Sequence, residues 1–157
     1  MAEPRPQPHL PCRHPRWPAF ARVPPFLAVP LRERADGWTP ARQAHFIGWL
    51  AETGSVAEAA RRVGMSRMAA YRLRRCAGAE SLAHAWDAVA AQRAGRDPAA
   101  RKVTPEELQE WAIEGPWVVT MRHGRFIRAR RKPRNSALLR LLRRLDRAGL
   151  SGDGAWL

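Results

Sequence analysis

Between residues 39 and 75, helix starts and helix stops alternate too closely for anything but three short helices. Thr39-Pro40 opens the first: the threonine hydroxyl can accept from a free backbone N–H, and proline sits where its missing N–H costs nothing. Gly54 closes it, and Ser55 with Glu58 three residues on forms a capping box for the second. Gly64 interrupts again and Ser66 caps a third helix reaching about Arg75. A tight turn at Gly64 forces the second and third helices to cross steeply, and Ala60 is small enough to let them approach. Ala59, Val63, Met65, Ala70 and Leu73 then fall inward, with polar residues between them. The expectation is a helix-turn-helix.

The pattern continues on both sides. Glu80–Arg93 reads as a fourth helix carrying Leu82, Trp86 and Val89. Thr104-Pro105-Glu106-Glu107 is another proline-led cap and opens a helix to about Glu114. Residues 117–121 and 126–129 suit two short strands around a His123-Gly124 turn. Asn135 or Ser136 caps a last helix, with Leu138, Leu141, Leu142, Leu145 and Ala148 on one face and Arg140, Arg143, Arg144 and Arg147 on the other. Residues 1–37 hold nine of the 14 prolines, which predicts a disordered, polyproline-like tail. The expected division is therefore a disordered Pro/Arg-rich tail at 1–37, a helix-turn-helix domain at 38–93, a linker at 94–103, a basic helix-hairpin-helix unit at 104–149 and a tail at 150–157. The fold class is mainly α.

Charge points to the partner. The 157 residues carry 28 Lys+Arg against 14 Asp+Glu, a net charge of +14. A polyanion is the matching partner, double-stranded DNA first. Only Lys102 and Lys132 are lysines; arginine's planar fork pairs bidentately with phosphate or guanine. A GC-rich genome would favour arginine over lysine, but it would not produce the excess of bases over acids. Residues 122–148 are the densest block, with eleven basic residues against Asp146 alone.

In a helix-turn-helix the second helix of the motif enters the major groove. The outward residues of that helix are Arg67, Met68, Tyr71, Arg72 and Arg75, with Ser66 at its start. These six are the candidate DNA-reading residues. Arg61, Arg62 and Arg74 are candidates for backbone contacts, as are Arg125, Arg128, Arg130, Arg131 and Lys132 on the hairpin. Tyr71 has two readings, stacking on DNA or packing between helices.

Nothing points to catalysis. Glu106, Glu107, Glu110 and Glu114 share one helix without a His or Asp cluster, and acids in a first turn are ordinary dipole partners. The chain has no Gly-rich phosphate loop ending in Gly-Lys-Ser/Thr. His9, His14, His45, His84 and His123 lack metal-ligand spacing, and Cys12 and Cys76 stand far apart. No enzyme activity, cofactor or metal is expected. The absence of a signal-peptide core or a membrane-length apolar run leads to an expected place in the cytoplasm, on the nucleoid.

The segment GSVAEAARRVGMSRMAAYRLRR (54–75), followed by AHAWDAV (83–89), resembles the helix-turn-helix of phage terminase small subunits and their prophage-derived relatives. The resemblance extends through Ala112-Ile113-Glu114-Gly115, Gly124-Arg125-Phe126, Arg128-Ala129-Arg130-Arg131 and the Leu-rich residues 136–145; Arg128 stands where that group has threonine. It implies a small DNA-recognising protein that oligomerises and hands DNA to a separate large terminase subunit. Two other readings stay open: a chromosomal transcription regulator, and an RNA-binding or protein-interaction module using the basic C-terminal unit.

Overall fold

The computed structural model describes residues 22–32 and 34–152. The proline-rich residues 1–21 and the tail beyond 152 lie outside the described residues. The architecture is mainly helical: α1 (Pro40–Thr53), α2 (Val56–Arg62), α3 (Arg67–Arg74), α4 (Glu80–Arg93), α5 (Pro105–Ile113), an antiparallel hairpin of β1 (Trp117–Arg122) and β2 (Arg125–Arg131), and α6 (Asn135–Gly152).

The predicted cap residues act as caps, but the reciprocal capping box forms only at Thr104 and Glu107; at Ser55 the backbone N–H donates to Thr53 Oγ1 instead, because Arg61 and Arg62 take the Glu58 carboxylate. Thr39, Ser55, Ser66 and Thr104 each accept a hydrogen bond from the backbone N–H three residues on. Gly54 ends α1 at φ 70°, and Gly64 takes φ 74° in the turn between α2 and α3. A side chain at Gly64 would meet nothing within 4 Å, so backbone conformation alone accounts for glycine there. In the hairpin, His123 and Gly124 both have positive φ, 50° and 77°, the two-residue turn whose twist suits antiparallel strands.

Two departures matter for function. The expected tail does not extend to residue 37, because residues 22–32 form an extended strap inside the fold. Val23, Phe26, Leu27 and Val29 are buried. The strap's backbone groups find unusual partners. The amide of buried Gln43 on α1 accepts from Val29 N–H at 2.7 Å and donates back to the Val29 carbonyl at 3.1 Å. Gln92 on α4 serves Arg22 in the same way, at 3.0 Å in both directions. Ser81 Oγ accepts from Leu27 N–H at 3.0 Å, and Phe26 makes a bridge to Trp117. Two glutamines and a serine thus satisfy a segment whose prolines cannot sustain a ladder. The tail expectation fails here because proline content argues only against regular structure; the apolar residues between the prolines supply burial.

The second departure is that the C-terminal unit is not separate. The hairpin packs on α1, with Phe126 against His45 and Trp49 at ring-centroid distances of 5.7 and 5.1 Å. Gly48 lies beneath Phe126, and a Cβ there would collide with the ring. A bulge in the pairing, where Thr120 faces Arg128 but Met121 faces Phe126, shifts the strand phase. Phe126 and Ala129, three apart, therefore both reach the core. One cluster joins Phe46, Ile47, Leu50, Leu73, Leu82, Trp86 and Val89 to Phe26 and Val119. A smaller one holds Leu27, Leu108, Trp111 and Ala137. Phe26 and Leu27, adjacent in an extended strap, point into different clusters and tie them together.

Candidate nucleic-acid interface

The turn Val63-Gly64-Met65 is held by Val63 and Met65 N–H donating to the Ala60 carbonyl, at 3.1 and 2.9 Å. It sets α3 across α2 with Ala59, Ala60, Ala70 and Leu73 buried between the two. Ala70 and Leu73 define the inner side of α3. The outward side carries Arg67, Met68, Arg72 and Arg75, all four exposed. Met68 is 55% exposed, unusual for so large an apolar side chain.

Tyr71 lies between these sides. Its ring is half-buried, 5.7 Å from Trp86 on α4, and Arg67 approaches its face with the guanidinium carbon 6.0 Å from the ring centre. Tyr71 thus packs against Trp86 and carries Arg67 beside its ring, with part of the ring left on this face. Ser66 Oγ is occupied as the cap, 3.1 Å from Ala69 N–H. Arg75 Nε donates to the Tyr71 carbonyl at 3.4 Å. Met68, Tyr71, Arg74 and Arg75 line a shallow depression on this face.

The remaining basic candidates divide sharply. Arg61 and Arg62 both donate to Glu58, at 2.8 and 2.9 Å. These bonds hold the Glu58 carboxyl down at about 2. Arg62 also reaches Glu52 at 3.5 Å and stacks 4.4 Å over Trp49. Arg74 pairs with Asp87 at 2.5 Å and lies 5.4 Å from the Trp86 ring centre. Arg131 pairs with Glu114 at 2.6 Å and Glu110 at 3.7 Å, and its Nε donates to the Gly115 carbonyl. These four arginines are engaged within the fold. Arg125, Arg128 and Arg130 on β2 and Lys132 just after it are exposed, and none has an ion pair among the described residues.

Sequence reasoning missed Glu52. One carboxylate oxygen accepts from Phe126 N–H at 2.7 Å, and the other meets Arg62. Arg93 donates to the carbonyls of Ala51 and Glu52, at 2.6 and 3.1 Å, closing the end of α1; its burial there lowers its pKa. The last residue of α2, the end of α1 and the tip of the hairpin thus meet at one carboxylate. The only sequence hint was Gly48, a glycine mid-helix where an ordinary side chain would favour helix formation.

Chemically, the α3 face offers forked donors over an apolar, partly aromatic floor. Such a surface can pair with phosphate oxygens or guanine edges. Among the described residues no group of three or more His, Cys, Asp or Glu side chains could hold a metal ion, and no helix is long and apolar enough to cross a membrane. Compared with known proteins, the chain matches no family model, no curated protein and no solved structure.

Proposed function

We propose that this chain is a non-enzymatic DNA-binding protein that reads duplex DNA through α3, in the manner the resemblance to terminase small subunits implies. The observation that carries the reading is the division of the arginines. Arg61 and Arg62 on α2 and Arg74 on α3 are paired with acids, whereas Arg67, Arg72 and Arg75 are exposed, with no acid paired to them among the described residues. The depth of the major groove suits one helix presented in this way. In this reading Arg67 and Arg72 read base edges and Met68 lies against thymine methyls or sugars. Arg125, Arg128, Arg130 and Lys132 grip phosphates. Phosphate contacts supply affinity and base contacts supply preference.

Fluorescence-anisotropy titration of pooled genomic duplexes across a salt series tests this, comparing wild type with Arg67→Ala/Arg72→Ala. The wild type should retain certain fragments at moderate salt. Each lost bidentate contact should cost about 1–3 kcal/mol against the preferred sequence, leaving weak general binding whose logarithm still falls steeply with the logarithm of salt. If both proteins bind all fragments alike, α3 is not a reader. If Arg125→Ala/Arg128→Ala/Arg130→Ala alone abolishes binding, or single-stranded RNA outcompetes duplex DNA, the hairpin is the nucleic-acid site and the RNA-binding reading replaces this one.

A further inference from the structure

The register of the hairpin separates its two faces. Trp117, Val119, Met121, Phe126 and Ala129 pack on the core. The pairs between them, Val118 with Arg130, Thr120 with Arg128 and Arg122 with Arg125, therefore turn the other way. All four of these arginines are exposed, and neither strand contains an acid. None has an ion pair among the described residues. The bulge adds an apolar group to this face's edge. Thr120 pairs with Arg128 and Met121 with Phe126, which leaves Ile127 without a partner across the strands. Ile127 is 54% exposed, with exposed Arg125 and Arg128 nearby on the same strand. The ribbon beneath it is anchored. Phe126 packs over Gly48, and its N–H donates to Glu52 at 2.7 Å, whose other oxygen meets Arg62 at 3.5 Å. That carboxylate fixes the start of β2 beside the end of α2, a short turn away from α3.

We propose that the hairpin is a minor-groove element that bends duplex DNA, with Arg122, Arg125, Arg128 and Arg130 laid along the groove and Ile127 inserted between two base pairs. The proposal rests on the reading of α3 as the major-groove element: a duplex seated there offers its neighbouring minor groove to the hairpin. Widths carry the bend. Paired strands lie about 4.8 Å apart before side chains are added, and an undistorted minor groove is only about 6 Å wide. An arginine-bearing ribbon enters such a groove only when it has opened, and unstacking a base step opens it. Insertion needs a stiff apolar side chain held out from a fixed backbone. Ile127 is β-branched, so its first torsion is restricted, and it stands at a bulge on a ribbon anchored through Phe126 and Glu52. Phosphate gripping alone accounts for the arginines and leaves the exposed isoleucine without a role.

Energy transfer between dyes at the two ends of a duplex of about 30 base pairs, taken from the fragments the full chain retains, tests it. Saturating wild type should raise the transfer by the amount of a bend of about 20–90°. Ile127→Ala should lose most of that rise while its Kd changes by less than about tenfold, because the unstacking cost disappears along with the contact. Ile127→Leu should keep the bend. With 2-aminopurine placed at successive adenines, the wild type should brighten one step, the unstacked one; this arm remains informative if Ile127→Ala misfolds. A bound duplex that stays straight, as it would with the ribbon lying in a major groove, overturns the proposal and leaves the α3 reading standing. A bend that survives Ile127→Ala, or a preference for single-stranded RNA, also overturns it. A bend lost in Ile127→Ala beside an Arg67→Ala/Arg72→Ala variant that keeps its sequence preference would retain the wedge and sink the α3 reading. No binding to duplex at all would sink both.

Discussion

Helices α2 and α3 are neighbours, yet their arginines are in opposite situations save for Arg74, which pairs with Asp87 from the last turn of α3. On α2, Arg61 and Arg62 close on Glu58, and Arg62 continues to Glu52 and the Trp49 ring. On α3, Arg67 and Arg72 have no acid within ion-pair distance among the described residues. Formal charge does not separate the two helices; position relative to Glu52 and Glu58 does. A count of basic residues therefore overstates the surface available to a polyanion. On the proposed reading, α2 holds the motif while Arg67 and Arg72 of α3 make the outside contact.

The largest effect expected inside the fold comes from removing the carboxylate that joins three elements. Glu52→Ala leaves Phe126 N–H without its acceptor and Arg62 with one acid instead of two. Charged hydrogen bonds of this kind contribute about 1.5–3 kcal/mol, so denaturant unfolding should show a loss of about 2 kcal/mol, with faster hydrogen exchange at the Phe126 amide. Unchanged exchange at Phe126 would mean that ring packing over Gly48 alone holds the hairpin.

A smaller loss is expected for Arg62→Ala. The partly screened ion pairs and the stacking on Trp49 together amount to about 1–2 kcal/mol. Duplex affinity should stay close to that of the wild type, in contrast to Arg67→Ala/Arg72→Ala, which should leave stability within about 0.5 kcal/mol. The two variants are a crossed pair, each expected to move one quantity and not the other. If Arg62→Ala lowers affinity as much as the α3 variant does, the distinction between holding and contacting arginines fails.

Much of this was legible from local signals. Caps at Thr39, Ser55, Ser66 and Thr104 and turns at Gly64 and His123-Gly124 act within a few residues, so the sequence exposes them. The outward face of α3 followed from helical period alone. The strap at 22–32 was not legible, because its partners Gln43, Ser81, Gln92 and Trp117 lie far along the chain, and polar side chains standing in for a strand leave no periodic trace. The internal pairing of Arg62, Arg74 and Arg131 was hidden for the same reason. Their acids at Glu52, Asp87 and Glu114 are 10, 13 and 17 residues away and meet them only once the helices pack.

The smallest effect is a pH dependence confined to α2. Bonds from Arg61 and Arg62 lower the folded-state pKa of Glu58 from 4.5 to about 2. A depressed carboxyl pKa contributes stability that is fully present above the unfolded value and is lost as pH falls towards the folded one. The window is therefore pH 4.5 down to about 2. The pair faces solvent, so the contribution is modest and screened by salt. Thermal unfolding of wild type and Glu58→Gln, followed from pH 7 to 2, isolates it from the other carboxyls. The wild type should be the more stable at neutral pH, and the gap should close across the window, with a wider gap at low ionic strength. Parallel curves would mean that Arg61 and Arg62 hold Glu58 too loosely for the pairing to matter. Those two arginines would then rejoin Arg67 and Arg72 as charge available to a polyanion.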